Sequence, residues 1–279
     1  MKTRRSFWAS MKIGWAIESN WTSPPLYLLY AAVRPLAMCL LLYFLFKVAS
    51  ANPSADPRFA AIYLGDAFFA IFGMMASGLS WAIISDREQY QLIRYVYIAP
   101  TPFVWTLIGR AATFVLIALT STAAILVVGV VVLHLPFGWS RIHWGLLLIT
   151  TLLGLGATIS LGIFFAGMLL VTARHALLLA EGVGGTFLLI CGVLYPTSYL
   201  PIWVRPLAWL SPLTYWIECA RRSFGCVGFD SNIAWLPDWA LVAALAVLTA
   251  ATGFGAAKGF AMFNHYAKKH GKIDEVTNY

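Results

Sequence analysis

The stretch Ser85-Asp86-Arg87-Glu88-Gln89-Tyr90-Gln91-Leu92-Ile93-Arg94-Tyr95-Val96-Tyr97-Ile98-Ala99-Pro100-Thr101-Pro102 lies between two apolar runs of membrane length. It starts polar and continues amphipathic. Wound as a helix at about 3.6 residues per turn, it sets Arg87, Gln91 and Arg94 on one side. Leu92, Val96 and Ala99 fall on the other. Pro100 and Pro102 stop the helix, and the next apolar run begins at once. A helix this short cannot span a bilayer. It is expected to lie along the membrane surface, apolar side against lipid and charges toward a partner. A surface linker without a partner fits the same pattern, so both readings stay open.

The rest of the chain makes the membrane unavoidable. Of its 279 residues 61% are hydrophobic and 11% charged, where soluble domains carry about 25% charged residues. Mean hydropathy is +0.78. The expectation is an all-α polytopic membrane protein forming one domain over 1–279. The net charge of +8 does not imply nucleic acid, because the basic residues sit at span ends and not in a stripe with exposed aromatics.

Residues 1–25 read as an interfacial helix. Trp8, Met11 and Trp15 share a face, and Lys2, Arg4, Arg5 and Lys12 supply charge. A disordered tail is the alternative. Six spans are expected, at about 26–48, 59–84, 103–133, 144–171, 176–194 and 239–263, with the amphipathic stretch at 86–102. Segment 195–238 is cut by Pro201, Pro206 and Pro212 into pieces too short to span. It is expected to form a re-entrant helical pair, the second helix capped by Ser211 with Pro212 in its first turn. Lys and Arg counting favours both termini in the cytoplasm and the re-entrant segment outside.

No phosphate-cradling Gly-x4-Gly-Lys-Ser/Thr motif occurs, so energy for active transport must come from another chain or an ion gradient. The glycines at 182, 184 and 185, with Gly154, Gly156, Gly162, Gly253, Gly255 and Gly259, read as close helix contacts. The five histidines do not gather and suggest no metal site. Cys39 and Cys191 read as packed thiols. Cys219 and Cys226 could bridge outside only if Gly225 turns the chain back, since a continuous helix holds them about 10 Å apart. Four charges fall inside spans: Arg34, Asp66, Arg110 and Glu181. Asp66 is expected to pair with Lys47. Glu181 is expected to pair with Arg34 or Arg110, unless it lines a substrate path or the arginines snorkel to the interface.

The order Asp86-Arg87-Glu88, amphipathic turns, Pro100, then Gly109-Arg110 resembles the ABC-2 type exporter permeases. Those carry an acidic-Arg-Glu start, a Gly-Thr-Leu-Glu-like middle and a Thr-Pro end between spans two and three. Here Tyr90-Gln91 replace Gly-Thr, and the stretch is one residue longer before Pro100. A second likeness lies in Tyr195-Pro196-Thr197-Ser198-Tyr199-Leu200-Pro201 and Ser211-Pro212-Leu213-Thr214-Tyr215.

The resemblance implies a permease subunit of the inner membrane that is not itself an enzyme. It implies a second copy or a paralogous permease as partner, and separate ATPase subunits that bind ATP and Mg. Asp86, Arg87, Glu88, Gln91 and Arg94, helped by Arg174 and His175, would then meet the ATPase. Tyr195, Pro196, Tyr199, Pro201, Pro212 and Tyr215 would form an outer lid. The cargo implied is an amphipathic drug, a lipid or a glycan-type molecule. Two rivals are a secondary transporter, which calls for midplane acids and internal repeats, and a membrane-embedded transferase, which calls for a polar cluster at one interface. Neither feature is evident in the sequence.

Overall fold

The computed structural model describes residues 2–20, 22–49, 54, 56–99, 102–135, 137, 142–172 and 176–272. Among them every regular element is a helix: α1 Lys2–Ser19, α2 Pro24–Ala49, α3 Pro57–Glu88, α4 Leu92–Ile98, α5 Phe103–Val131, α6 Trp144–Val171, α7 Ala176–Ile190, a 3-10 turn Thr197–Tyr199, α8 Arg205–Leu210, α9 Pro212–Ser223 and α10 Asp238–Lys269.

The bundle is built around α3. Its sequence is apolar on all sides, and such a helix is stable only when surrounded. Tyr63, Leu64, Ile71, Phe72, Met75 and Leu79 are all fully enclosed. Asp56 caps its start, accepting from the Arg58 amide at 2.8 Å, with Pro57 at the first helical position. Lipid is as apolar as leucine, so helix association here depends on close contact and hydrogen bonds. The Tyr63 hydroxyl donates to the Ile125 carbonyl at 2.6 Å, and Thr122 to that of Ala67 at 3.1 Å. Gly129 makes room for Tyr63, whose ring would lie 2.7 Å from a Cβ there.

Among the described residues five helices are long and apolar enough to cross a membrane: α2, α3, α5, α6 and α10. The sixth expected span is α7. It has only 15 residues, about 22 Å at 1.5 Å per residue, against a hydrocarbon core of about 30 Å. The count of six is therefore not established by length. The chain nevertheless leaves α6 at the end of the bundle that carries Asp86, and by Gly192 it has reached the end that carries Arg221.

Several expectations need correction. The helix expected over 86–99 is two helices. Asp86, Arg87 and Glu88 close α3, and Gln91 breaks the chain with a left-handed backbone, φ 50°. Asp66 does not meet Lys47: it is buried and accepts from the Cys39 thiol at 3.2 Å, while Lys47 lies over the Tyr43 ring. Glu181 is exposed on α7 and does not meet Arg110, which pairs with Asp86, while the side chain of Arg34 lies outside the described residues. No Cβ contact would arise at Gly182, Gly184, Gly185 or Gly255, whereas Gly154 meets Trp216 and Gly259 meets Phe164. All four cysteines are free thiols.

Candidate coupling site

The junction of α3 and α4 gathers most of the residues singled out in the sequence. Asp86 and Arg87 are both buried in the last turn of α3. Arg110, seven residues into α5, donates to the Asp86 carboxylate. Arg87 donates to the Leu169 carbonyl of α6 at 3.3 Å and lies 3.6 Å from Glu88. A charge taken out of water is retained only with good partners, and here the partners come from α5 and α6. These side chains therefore fasten three helices together and are not presented to the surroundings.

The first helix closes over the same cluster. Its small residues Ser10 and Gly14 face α5, where Gly109 lets the backbones meet: a Cβ on Gly109 would lie 2.7 Å from the Phe7 carbonyl oxygen. Thr113 donates to the Met11 carbonyl at 3.1 Å. Glu18 accepts from the Tyr27 hydroxyl at 3.1 Å. Burial pushes the Glu18 carboxyl up from its ordinary value, against the opposing effects of the Tyr27 hydroxyl and the Arg110 charge.

What this end offers outward is α4. Arg94, Tyr95 and Ile98 are exposed on one face of α4, and Gln91 and Ala99, exposed as well, flank the helix. Tyr95 and Ile98 are 71% and 81% exposed. The opposite face is held: Ile93 is buried, and the Tyr97 hydroxyl donates to Asn264 of α10 at 2.5 Å. Tyr97 also stacks obliquely on Phe103, and Phe103 on Phe260. Burial raises the Tyr97 hydroxyl to about 12, so it stays a proton donor at neutral pH. This short helix thus has an exposed outer face and an inner face bonded to α5 and α10.

Of the sequence candidates, Gln91 and Arg94 are exposed and Asp86 and Arg87 lie inside the bundle. Glu88 is half-buried beside Arg87. Arg174, His175 and the side chain of Arg34 lie outside the described residues.

At the other end, Tyr195 donates its hydroxyl to the Leu189 carbonyl at 2.7 Å, Pro196 precedes the 3-10 turn, Tyr199 and Pro201 are exposed, and Pro212 and half-buried Tyr215 sit in α9. Ser211 precedes α9 as expected, but its hydroxyl meets Cys191 Sγ at 3.2 Å and not the helix amides. The sequence reading missed the polar core of this end. Arg221 is enclosed and donates to the carbonyls of Ala61, Gly192 and Val193 at 2.9, 3.0 and 2.6 Å. Arg222 joins Glu218 at 3.3 Å to Asp238 at 2.9 Å. The signal was present: a Glu with arginines three and four residues on in one helix.

A family model described as ABC-2 type transporter matches residues 5–225. The chain is similar to a probable multidrug ABC transporter permease, YbhR, of Escherichia coli (strain K12). Identity is 24% over 219 residues, covering 76% of this chain and 54% of that protein. The protein of the same name from Escherichia coli O157:H7 matches equally. The chain thus spans about half the length of the curated relatives it matches.

Proposed function

The chain belongs to the ABC-2 type transporter family, and from that premise we propose that it is the permease subunit of an ATP-driven exporter. It works as a pair with itself or a paralogous permease, and ATP and Mg are bound by separate ATPase subunits. The observation that carries this reading is α4, whose exposed Tyr95 and Ile98, with Arg94 beside them, suit a groove on another protein. Aromatic and Arg side chains are typical anchors of such contacts. The ATPase draws together on binding ATP and moves α4. Tyr97 and Asn264 pass that movement to α10. Asp86 and Arg110 keep α3 and α5 moving together. Lys and Arg placement supports both termini in the cytoplasm of the inner membrane. The name of the relative makes an amphipathic drug the first cargo class to test.

The test is copurification with the cognate ATPase after replacing Arg94→Glu and Ile98→Glu together. Both side chains are exposed, so insertion and permease pairing should persist. The ATPase should be lost from the complex, with transport falling at least tenfold. Retention of the ATPase at wild-type levels would remove α4 as the docking element.

A further inference from the structure

Along α10, Ala257, Phe260, Ala261, Asn264 and Lys268 fall on one face. The stripe passes from apolar to cationic over about 16 Å at 1.5 Å per residue. With Val96 and Tyr97 of α4 and Phe103 and Val104 of α5 it borders an open cleft of about 440 Å³, within the usual range of about 300–1,000 Å³ for ligand sites. The small side chains of Ala257 and Ala261 leave the apolar part of the cleft roomy. Lys268 stands at the polar mouth, exposed, its Nζ 4.9 Å from the centre of the Tyr97 ring. None of the described lining residues is acidic. Lys268 is the cation among the described lining residues, and Lys272 is held apart from the cleft, its Nζ donating to the Val171 carbonyl of α6 at 3.3 Å.

We propose that this cleft binds an anionic phospholipid. One acyl chain lies along Ala257, Phe260 and Ala261, and Lys268 holds the phosphate. The charge grading matches the lipid twice, since the apolar part of the stripe faces the hydrocarbon depth and the lysine reaches headgroup level. Lys268, with no acidic residue among the described lining, favours a net negative headgroup over a zwitterionic one. The bound lipid fills the joint between α4 and α10, beside the Tyr97–Asn264 bond. ATPase docking would use Arg94, Tyr95 and Ile98, none of which borders the cleft, while Ala99 lies at the edge between the two surfaces.

Native mass spectrometry on the purified full chain tests it, with phosphatidylglycerol and phosphatidylcholine of matched chains as probes. The wild type should retain phosphatidylglycerol in preference. Lys268→Ala should weaken that binding about fivefold, the effect of one basic side chain near a headgroup, and narrow the preference. Ala261→Phe should lose both lipids by filling the cleft. Because Ala261→Phe risks disturbing the fold, its lipid-free melting temperature is compared with wild type, and exposed Lys268→Ala carries the test if the two differ. Equal retention of both lipids by the wild type would overturn the proposal. So would unchanged phosphatidylglycerol binding by Lys268→Ala, or displacement of the lipid by stoichiometric cognate ATPase, which would assign the cleft to the protein partner.

Discussion

Asp86 and Arg110 show how a charge is kept inside this bundle. Each is nearly enclosed, and each has the other as an ion-pair partner. Breaking such a pair from one side strands the remaining charge and costs about 3–5 kcal/mol. Asp86→Ala and Arg110→Ala should therefore each lower thermal stability in detergent by that order. The double variant should cost less than the sum of the two, which is the signature of a direct pair. Strict additivity in that cycle would dissolve the pair. Glu181→Ala is the control: exposed on α7, it should change stability by no more than about 0.5 kcal/mol. The sequence points to Glu181 as the carboxylate for Arg34 or Arg110 because all three fall at similar depth in their spans. Asp86 wins because α3 and α5 pack antiparallel, joined through α4. That brings the third residue from the end of α3 level with the eighth of α5.

At the scale of elements, the helices were legible wherever the apolar pattern was long. The runs that became α2, α3, α5, α6 and α10 stand out by length alone, and the prolines marked where the α8–α9 pair begins. The amphipathic stretch was legible only from Leu92 on. Its first turn is polar in sequence, yet it is buried. That burial depends on Arg110 and the Leu169 carbonyl, which local periodicity does not register. The bend at Gln91 gave no glycine to announce it, and a non-glycine residue there in a left-handed backbone is uncommon. The docking of α1 was hidden for a related reason, since its contact face is made of small residues. Gly109→Val puts side-chain atoms where the α1 backbone now lies, with 2.7 Å available at Cβ to the Phe7 oxygen. Overpacking of this kind costs about 1–3 kcal/mol. The variant should melt lower by that amount and expose α1 to proteolysis. Wild-type melting and protease resistance would mean that α1 is not held at Gly109.

At the scale of the molecule, α3 joins two polar clusters set at opposite ends. Its last turn carries Asp86 and Arg87, and its first turns offer the Ala61 carbonyl to Arg221. A helix gripped at both ends moves as a unit, so a displacement at α4 can reach α9 through α3 as well as through α10. Arg221 makes the far grip by donating to three carbonyls from two segments, with Phe229 against its guanidinium. A lysine has a single nitrogen on a flexible stem and cannot satisfy all three. Buried acceptors left without donors cost about 1–3 kcal/mol each. Arg221→Lys should therefore loosen the α9 end and reduce transport, while copurification with the ATPase persists because α4 lies at the other end. Arg94→Glu with Ile98→Glu should give the reverse: the ATPase lost and α9 undisturbed. Measuring both variants for ATPase binding, and for the reactivity of Asn232→Cys with an impermeant thiol reagent, separates the two ends. Asn232 donates to Thr197 within the Arg221 end, so its cysteine should react faster once Arg221 is lysine. If Arg221→Lys also releases the ATPase, the Arg221 cluster is needed for the docking surface itself, and α4 is not a separate docking element.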